Sequence, residues 1–173
     1  MNKISILIAS LLITSHLQAQ NLIIEACKDS TTGKFIARAD KDIVAIDEKN
    51  NRGFRLWLSF RYKDSSVRYA HFGVISENIG SCMDKDQILI VFTDSTKYAS
   101  TSWNEYNCSG DSYFDRSSSD FGKLSKEISY IVFTNGRSKE SYTYFTTQEQ
   151  SRYFIGCQDA IKNNRFIIKN CDD

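Results

Sequence analysis

The chain reads as a mainly β, α+β fold: an antiparallel sheet or sandwich of successive hairpins, closed by one amphipathic C-terminal helix at about 147–163. Three observations lead there. Phe54, Leu56, Leu58, Phe60 and Tyr62 alternate with Arg55, Trp57, Ser59 and Arg61, the period of a strand with one face in a core. Ile88-Leu89-Ile90-Val91-Phe92 is a short β-branched and aromatic run bounded by Asp86 and Thr93-Asp94-Ser95, which suits a strand buried on both faces. Tyr153, Phe154, Cys157, Ala160 and Ile161 recur at helical spacing after Thr146-Thr147-Gln148-Glu149, which reads as a capping box with Thr146 at N-cap and Glu149 at N3.

The remaining elements follow in chain order. Leu22–Ala26, Lys34–Arg38 and Asp42–Asp47 are short apolar strands separated by turn clusters. Phe54–Tyr62 turns at Asp64-Ser65 and returns through Val67–Ile75. That loop makes paired numbers sum to 129, setting Leu58 opposite His71, Trp57 opposite Phe72 and, unfavourably, Arg61 beside Arg68. Gln87–Trp103 is the central hairpin. With Ser95 at its apex, paired numbers sum to 190, and Cys82 falls opposite Cys108. Asn104–Ser119 is a long polar loop, and Asp120–Lys126 is a helical turn with Leu124 facing inward. Ile128–Thr134 and Lys139–Phe145 form a hairpin about Asn135-Gly136, a type I′ turn signal. Arg165–Lys169 is a short extended tail.

Met1–Ala19 has the charge at Lys3, the apolar core Ile4–Ile13 and the small final residue of a secretory signal peptide. Residues 20–173 then form one disulfide-stapled domain. Its location is secreted or periplasmic. A lipid anchor at Cys27 is the lesser alternative, because Glu25 and the polar stretch Thr14–Asn21 fit a lipobox poorly. Lys3 is the only charge in the leader, so the rest balances 21 basic against 21 acidic residues. A neutral chain gives no electrostatic reason to expect nucleic acid, and no other stretch reaches transmembrane length.

All five cysteines follow the leader, and disulfides are the default for an exported chain. Cys82–Cys108 is the favoured pair. Cys157–Cys171 is the weaker second, since the tail can fold back along the helix. Cys157 is equally suited to being a buried thiol, and Cys27 is left over or paired with Cys157.

The signal ending Leu17-Gln18-Ala19-Gln20, the opening Cys27–Lys34, the strand Ile88–Phe92 with Thr93-Asp94-Ser95, and Leu124 leading into Ile128–Phe133 carry a resemblance. Together they resemble a group of small uncharacterised exported β-rich proteins typical of bacteroidete-like bacteria. That resemblance implies no activity and no functional residue. It does imply O-glycosylation as an option at Asp29-Ser30-Thr31 and Asp94-Ser95-Thr96, with Ser30 and Ser95 as acceptors; unmodified polar turns are the simpler reading.

Catalytic chemistry finds little support. His71 is the only histidine after the leader, and a hydrogen-bonded structural role suits it best. Neither G-x-S-x-G, H-E-x-x-H, a P-loop nor a Rossmann glycine pattern occurs. Asp111, Asp115 and Asp120 do not match a calcium loop, so neither metal nor cofactor is expected. Trp57, between Arg55 and Arg61 on the polar side of its strand, is the candidate binding residue: the indole would stack on a ring and the arginines would bind hydroxyls or an acid. The competing reading packs Trp57 under other structure. The function expected is an exported, non-enzymatic binding or envelope-associated module for an unknown protein or glycan. The alternative is a secreted inhibitor presenting the 104–119 loop to an extracellular hydrolase.

Overall fold

The computed structural model describes residues 24–28, 35–39, 41–63, 66–116, 124–163 and 165–170. Their elements are β1 (Ile24–Lys28), β2 (Phe35–Arg38), β3 (Ile43–Asp47), β4 (Arg52–Lys63), β5 (Ser66–Glu77), β6 (Gln87–Phe92), β7 (Lys97–Thr101), β8 (Asp111–Arg116), β9 (Ile128–Thr134), β10 (Ser141–Phe145), helix α1 (Gln148–Lys162) and β11 (Phe166–Asn170). The large sheet runs β11-β1-β2-β4-β5-β8, with β3 also paired to β4; the small sheet runs β10-β9-β6-β7. The fold is mainly antiparallel β with one C-terminal helix, as the alternation and the capping signal anticipated. The signal segment, Ser30, Asp120 and Cys171 lie outside the described residues.

The β4–β5 hairpin shows how sequence sets register. Lys63↔Ser66 and Tyr62↔Val67 keep the sum of 129, but Arg61 pairs with Tyr69, and the sum is 130 from there to Gly53↔Glu77. Arg68 is the residue skipped. A β-bulge there removes the Arg61–Arg68 pair that a regular ladder would force together. The slip reassigns every later partner by one. Leu58 faces Phe72, His71 faces Ser59, and Trp57 faces Gly73.

The two sheets share one core. Phe54, Leu56, Leu58, Val74 and Phe114 from the large sheet meet Ile88, Ile90, Phe92, Ile131 and Phe133 from the small one. Phe54 and Phe133 bridge the sheets with ring centroids 5.9 Å apart. Leu124 is fully buried in the same cluster, as its inward placement required. On β6, Val91 is buried as well as Ile90 and Phe92, while Leu89 is half-buried. This is an inner strand of its four-stranded sheet, between β7 and β9.

The β6–β7 turn is exposed and places Ser95 at φ 67°. At its tip, Lys126 Nζ lies 2.6 Å from Asp94 Oδ2. Hydrogen bonds from Lys126, then from Thr96, lower the Asp94 carboxyl from 3.8 to about 2. A carboxylate with a depressed folded-state pKa favours the fold above its unfolded value of 3.8 and loses that contribution as pH falls through 2. Carboxyl NMR titration is expected to find Asp94 near 2, and Lys126→Met to move it back toward 3.8; an unchanged midpoint in the variant would remove Lys126 as the main cause.

Helix α1 begins one residue later than its sequence signal. Thr147 is the N-cap: its Oγ1 accepts from Gln150 N at 3.2 Å, and Gln150 Oε1 accepts from Thr147 N at 3.0 Å. Gln150 thus takes the N3 role expected of Glu149, and the Thr146 hydroxyl is used elsewhere, donating to Ile128 O at 2.7 Å. Phe154, Cys157 and Ala160 enter the shared core. No helix among the described residues is long and apolar enough to cross a membrane.

The extended tail becomes β11 and pairs parallel to β1, with Ile24↔Phe166 through Lys28↔Asn170 in register. Ile24, Glu25 and Ala26 belong to this ladder. Cleavage before Cys27, as lipidation there requires, would remove three of the five paired residues of β1.

Candidate functional site

The outer corner where the small sheet meets β8 carries Trp103 and Tyr106, two of the three exposed aromatic side chains among the described residues; the third, Phe145, lies on β10. The origin of the corner is a mismatch in strand length. Through β6 and β7 the paired numbers sum to 188, Gln87↔Thr101 to Val91↔Lys97. Below them, the bridge Met83↔Asn107 sums to 190. The 190 register expected from the hairpin therefore holds at its base and not in its strands. Six residues run from Thr101 to Asn107, against four from Gln87 back to Met83. The surplus loops outward, and it carries Trp103, 55% exposed, and Tyr106, 54% exposed.

This segment is tied down on all sides. Cys82 and Cys108 form the expected disulfide. Met83 N donates to Asn107 O at 2.7 Å, and Asn107 N returns to Met83 O at 3.1 Å. Asn104 Oδ1 accepts from Tyr113 N at 2.9 Å, while the side-chain amides of Asn104 and Asn107 both donate to Asp111 O at 3.1 Å. Asparagine suits this task because one amide group both donates and accepts. The second half of the expected 104–119 loop is in fact strand β8, paired with β5 from Ala70↔Arg116 to Ile75↔Asp111. Among the described residues of this stretch, 102–110 is loop, and 117–119 lie outside them.

Beneath the loop lies a buried polar node. Asp86 is 0% exposed, and its Oδ1 accepts from Gly136 N at 2.7 Å. Its Oδ2 accepts a short hydrogen bond from the Ser112 hydroxyl. Asp86 N donates to Ser102 Oγ at 2.9 Å, and Ser102 N donates to Asp86 O at 2.8 Å. One carboxylate thus joins β6, β8 and the β9–β10 loop, with every contact serving the scaffold. Asn135 and Gly136 belong to this node and not to a type I′ turn. Asn135 is buried, and its Nδ2 donates to Ile79 O at 3.2 Å and Cys82 O at 2.9 Å. A Cβ on Gly136 would stand 2.0 Å from Asp84 O, so glycine is needed there for close backbone approach.

Aromatic rings continue from the loop across the outer face of the large sheet. Trp103 N donates to Tyr113 O at 3.0 Å, and the two rings stack at 5.8 Å, tilted 35°. Tyr113 in turn meets Trp57 edge-on at 6.1 Å. Trp57 is only 9% exposed and lies flat over Gly73, where a Cβ would come within 1.9 Å of the indole. The stacking surface expected at Trp57 is therefore displaced. That indole supports Tyr113, and Trp103 offers the accessible ring. Arg55 is exposed on the same strand, and the Arg61 side chain lies outside the described residues, as does that of His71. Beside the disulfide, the Arg137 guanidinium sits 5.3 Å from the Tyr106 ring centroid, and its Nη1 donates to the Tyr106 hydroxyl at 2.9 Å.

Trp103 left a faint signal in the sequence: one of only two tryptophans, just past a strand end and five residues before Cys108. Cys157 is fully buried on α1, in line with the buried-thiol reading, while its suggested partner Cys171 lies outside the described residues. Asp111 and Asp115 both lie on β8, four residues and about 13 Å apart along an extended chain, too far to share one calcium shell. Among the described residues, no group of three or more His, Cys, Asp or Glu side chains is placed to hold a metal ion. The chain matches no family model, and no curated protein or solved structure is significantly similar to it.

Proposed function

We propose that this chain is an exported binding module that contacts its ligand, a protein or glycan, through Trp103, Tyr106 and Arg137 at the stapled corner. The observation that carries the reading is Trp103: a large ring more than half exposed, stacked on Tyr113, in a loop held by a disulfide. Tryptophan, tyrosine and arginine are the side chains that most often dominate binding energy. A loop ordered in advance also avoids much of the entropy lost on association. The disulfide fits an oxidising compartment, in keeping with export and with secretion or a periplasmic location. Catalysis has no part in this reading.

A rigid, protruding, disulfide-held 102–110 loop also suits an inhibitor of an extracellular hydrolase. One experiment separates the two. The chain lacking residues 1–19, with Trp103→Ala and Trp57→Phe variants, is tested against a glycan array, peptidoglycan and a panel of secreted proteases and lysozymes. Binding that falls at least tenfold (about 1.4 kcal/mol) in Trp103→Ala and survives in Trp57→Phe supports the corner. Inhibition of a hydrolase with the same dependence favours the second reading. Binding indifferent to Trp103→Ala contradicts both.

A further inference from the structure

We propose that the outer edge of β10 pairs antiparallel with the same edge of a second copy of this chain, about a two-fold axis at Thr143, and so joins two small sheets into one. The surface is separate from the Trp103 corner, and the inference does not rest on the binding reading.

The edge is open. β10 ends its sheet, beyond β9. In an antiparallel pair, facing residues alternate between those that exchange backbone hydrogen bonds and those that do not. Asn135 N donates to Glu140 O at 2.8 Å, and Thr146 N donates to Ser129 O at 3.2 Å. Between them the ladder runs without a bulge from Ser141↔Thr134 to Phe145↔Tyr130. Glu140, Tyr142, Tyr144 and Thr146 therefore turn their backbone groups to β9, and Ser141, Thr143 and Phe145 turn theirs outward. Among the described residues, nothing bonds to these outward N–H and C=O groups. All three residues are exposed, Phe145 by 71%. The other end of the small sheet is tied down instead: just past β7, Trp103 N donates to Tyr113 O of β8 at 3.0 Å.

The edge is also undefended. Strand edges are normally kept from pairing by charges, proline or a bulge. Among the described residues, β3, β7, β8, β10 and β11 are paired on one side only. β3 carries Asp47, β7 Lys97, β8 Asp111, Asp115 and Arg116, and β11 Lys169. β10, Ser-Tyr-Thr-Tyr-Phe, alone among them has no charge.

What fits this edge is the edge itself. With Thr143 on the axis, Ser141 faces Phe145 of the second copy, and Tyr142 faces Tyr144. In that register every outward N–H and C=O of Ser141, Thr143 and Phe145 gains a partner. A slip of one residue would set outward groups against groups already bonded to β9, and a slip of two would leave an end residue unpaired. Size is complementary as well: the Phe145 ring, backed by Tyr130 at 5.5 Å, crosses the seam over a serine. So is charge. Glu140 meets Thr146 of the second copy and Lys139 meets Thr147, so no like charges face each other. Glu140 is already paired within its own chain, to Arg52 at 3.1 Å. Such an isologous contact closes at two copies. Its affinity comes mainly from main-chain hydrogen bonds, as in other strand additions. A seam five residues long belongs to the small, weak class of interfaces.

The test is sedimentation equilibrium of the full chain expressed with export, from about 1 μM to about 1 mM, which covers dissociation constants from micromolar to millimolar. The mass is expected to rise from one copy to two and stop there. Thr143→Pro removes an outward N–H and spares the β9 ladder, since proline is tolerated where the N–H faces away from the sheet. It should weaken association about tenfold or more while the circular dichroism of the parent is kept. Thr143→Lys, which sets two cations on the axis, should do the same. In the parent, amide exchange at Thr143 and Phe145 should slow as concentration rises, and exchange in the 102–110 loop should not. A parent monomeric throughout, assembly that continues past two copies, or association undiminished in both variants would overturn the proposal. So would edge protection that appears only when a different protein is added to a monomeric parent. Mass and exchange are read on the unaltered chain, so a variant that fails to fold does not blur the outcome.

Discussion

Asp86→Ala is expected to destabilise the fold by about 4 kcal/mol, the largest effect of any single substitution considered for this protein. The substitution removes a buried carboxylate and strands two donors, the partly buried Gly136 N and the buried Ser112 hydroxyl. Hydrogen bonds to a charged group contribute about 1.5–3 kcal/mol each, and no water replaces a group that is fully enclosed. Asp86→Asn should cost about half as much. Its amide oxygen still accepts from Gly136 N, and its NH₂ can donate to Ser112 Oγ once that hydroxyl rotates. Urea unfolding of the three proteins checks the order. Equal stability of the alanine variant and the parent would show that the node carries no load. Because Asp86 connects β6, β8 and the β9–β10 loop, the same loss should loosen the 102–110 loop, seen as faster amide exchange at Ser102 and Tyr113.

Replacing both Cys82 and Cys108 by serine is expected to cost about 3.5 kcal/mol in the chain-entropy account, for a sequence separation of 26. Here the loss divides between the unfolded chain, which gains freedom, and the native loop, which keeps its asparagine clamps. The loop should therefore stay near its place. Trp103 should remain stacked on Tyr113, since that contact rests on a backbone bond and on Asn104 and not on the sulfurs. Thermal unfolding measures the first effect, and near-ultraviolet circular dichroism, which senses the stacked aromatic rings, measures the second. A variant that unfolds as the parent does, or one that loses the aromatic signal while still folded, would each break one half of this expectation.

The strands and the helix were legible because their apolar periods are strong. β9 matches its expected bounds, and β4 and β6 lie within a few residues of theirs. The misses share a physical cause: polar residues that face inward. β8 was hidden because its buried positions are Ser112 and Phe114, one of them a serine turned to Asp86. Asn135-Gly136 carries the composition of a tight turn, but the asparagine is buried as a clamp and the glycine makes room for the 84–85 backbone. Both depend on contacts 50 or more residues away in the chain, which local pattern does not encode. Register failed for a different reason. Arg61 and Arg68 announced a conflict, and the ladder resolved it with a bulge, moving Trp57 from Phe72 onto Gly73. That step seats the Trp57 indole over Gly73. The disulfide survived the wrong strand register because the extra length between Thr101 and Asn107 restores the 190 sum at Met83↔Asn107.

Trp103 on the stapled loop is the accessible tryptophan, and Trp57 on the sheet is the buried one. The chain has only these two tryptophans, so Trp57→Phe and Trp103→Phe each leave one reporter. Iodide quenching of their fluorescence reads exposure directly. Strong quenching and red-shifted emission from Trp103 in the Trp57→Phe protein, with weak quenching and blue-shifted emission from Trp57 in the other, is the expected outcome. Equal quenching of the two, or stronger quenching of Trp57, would contradict it.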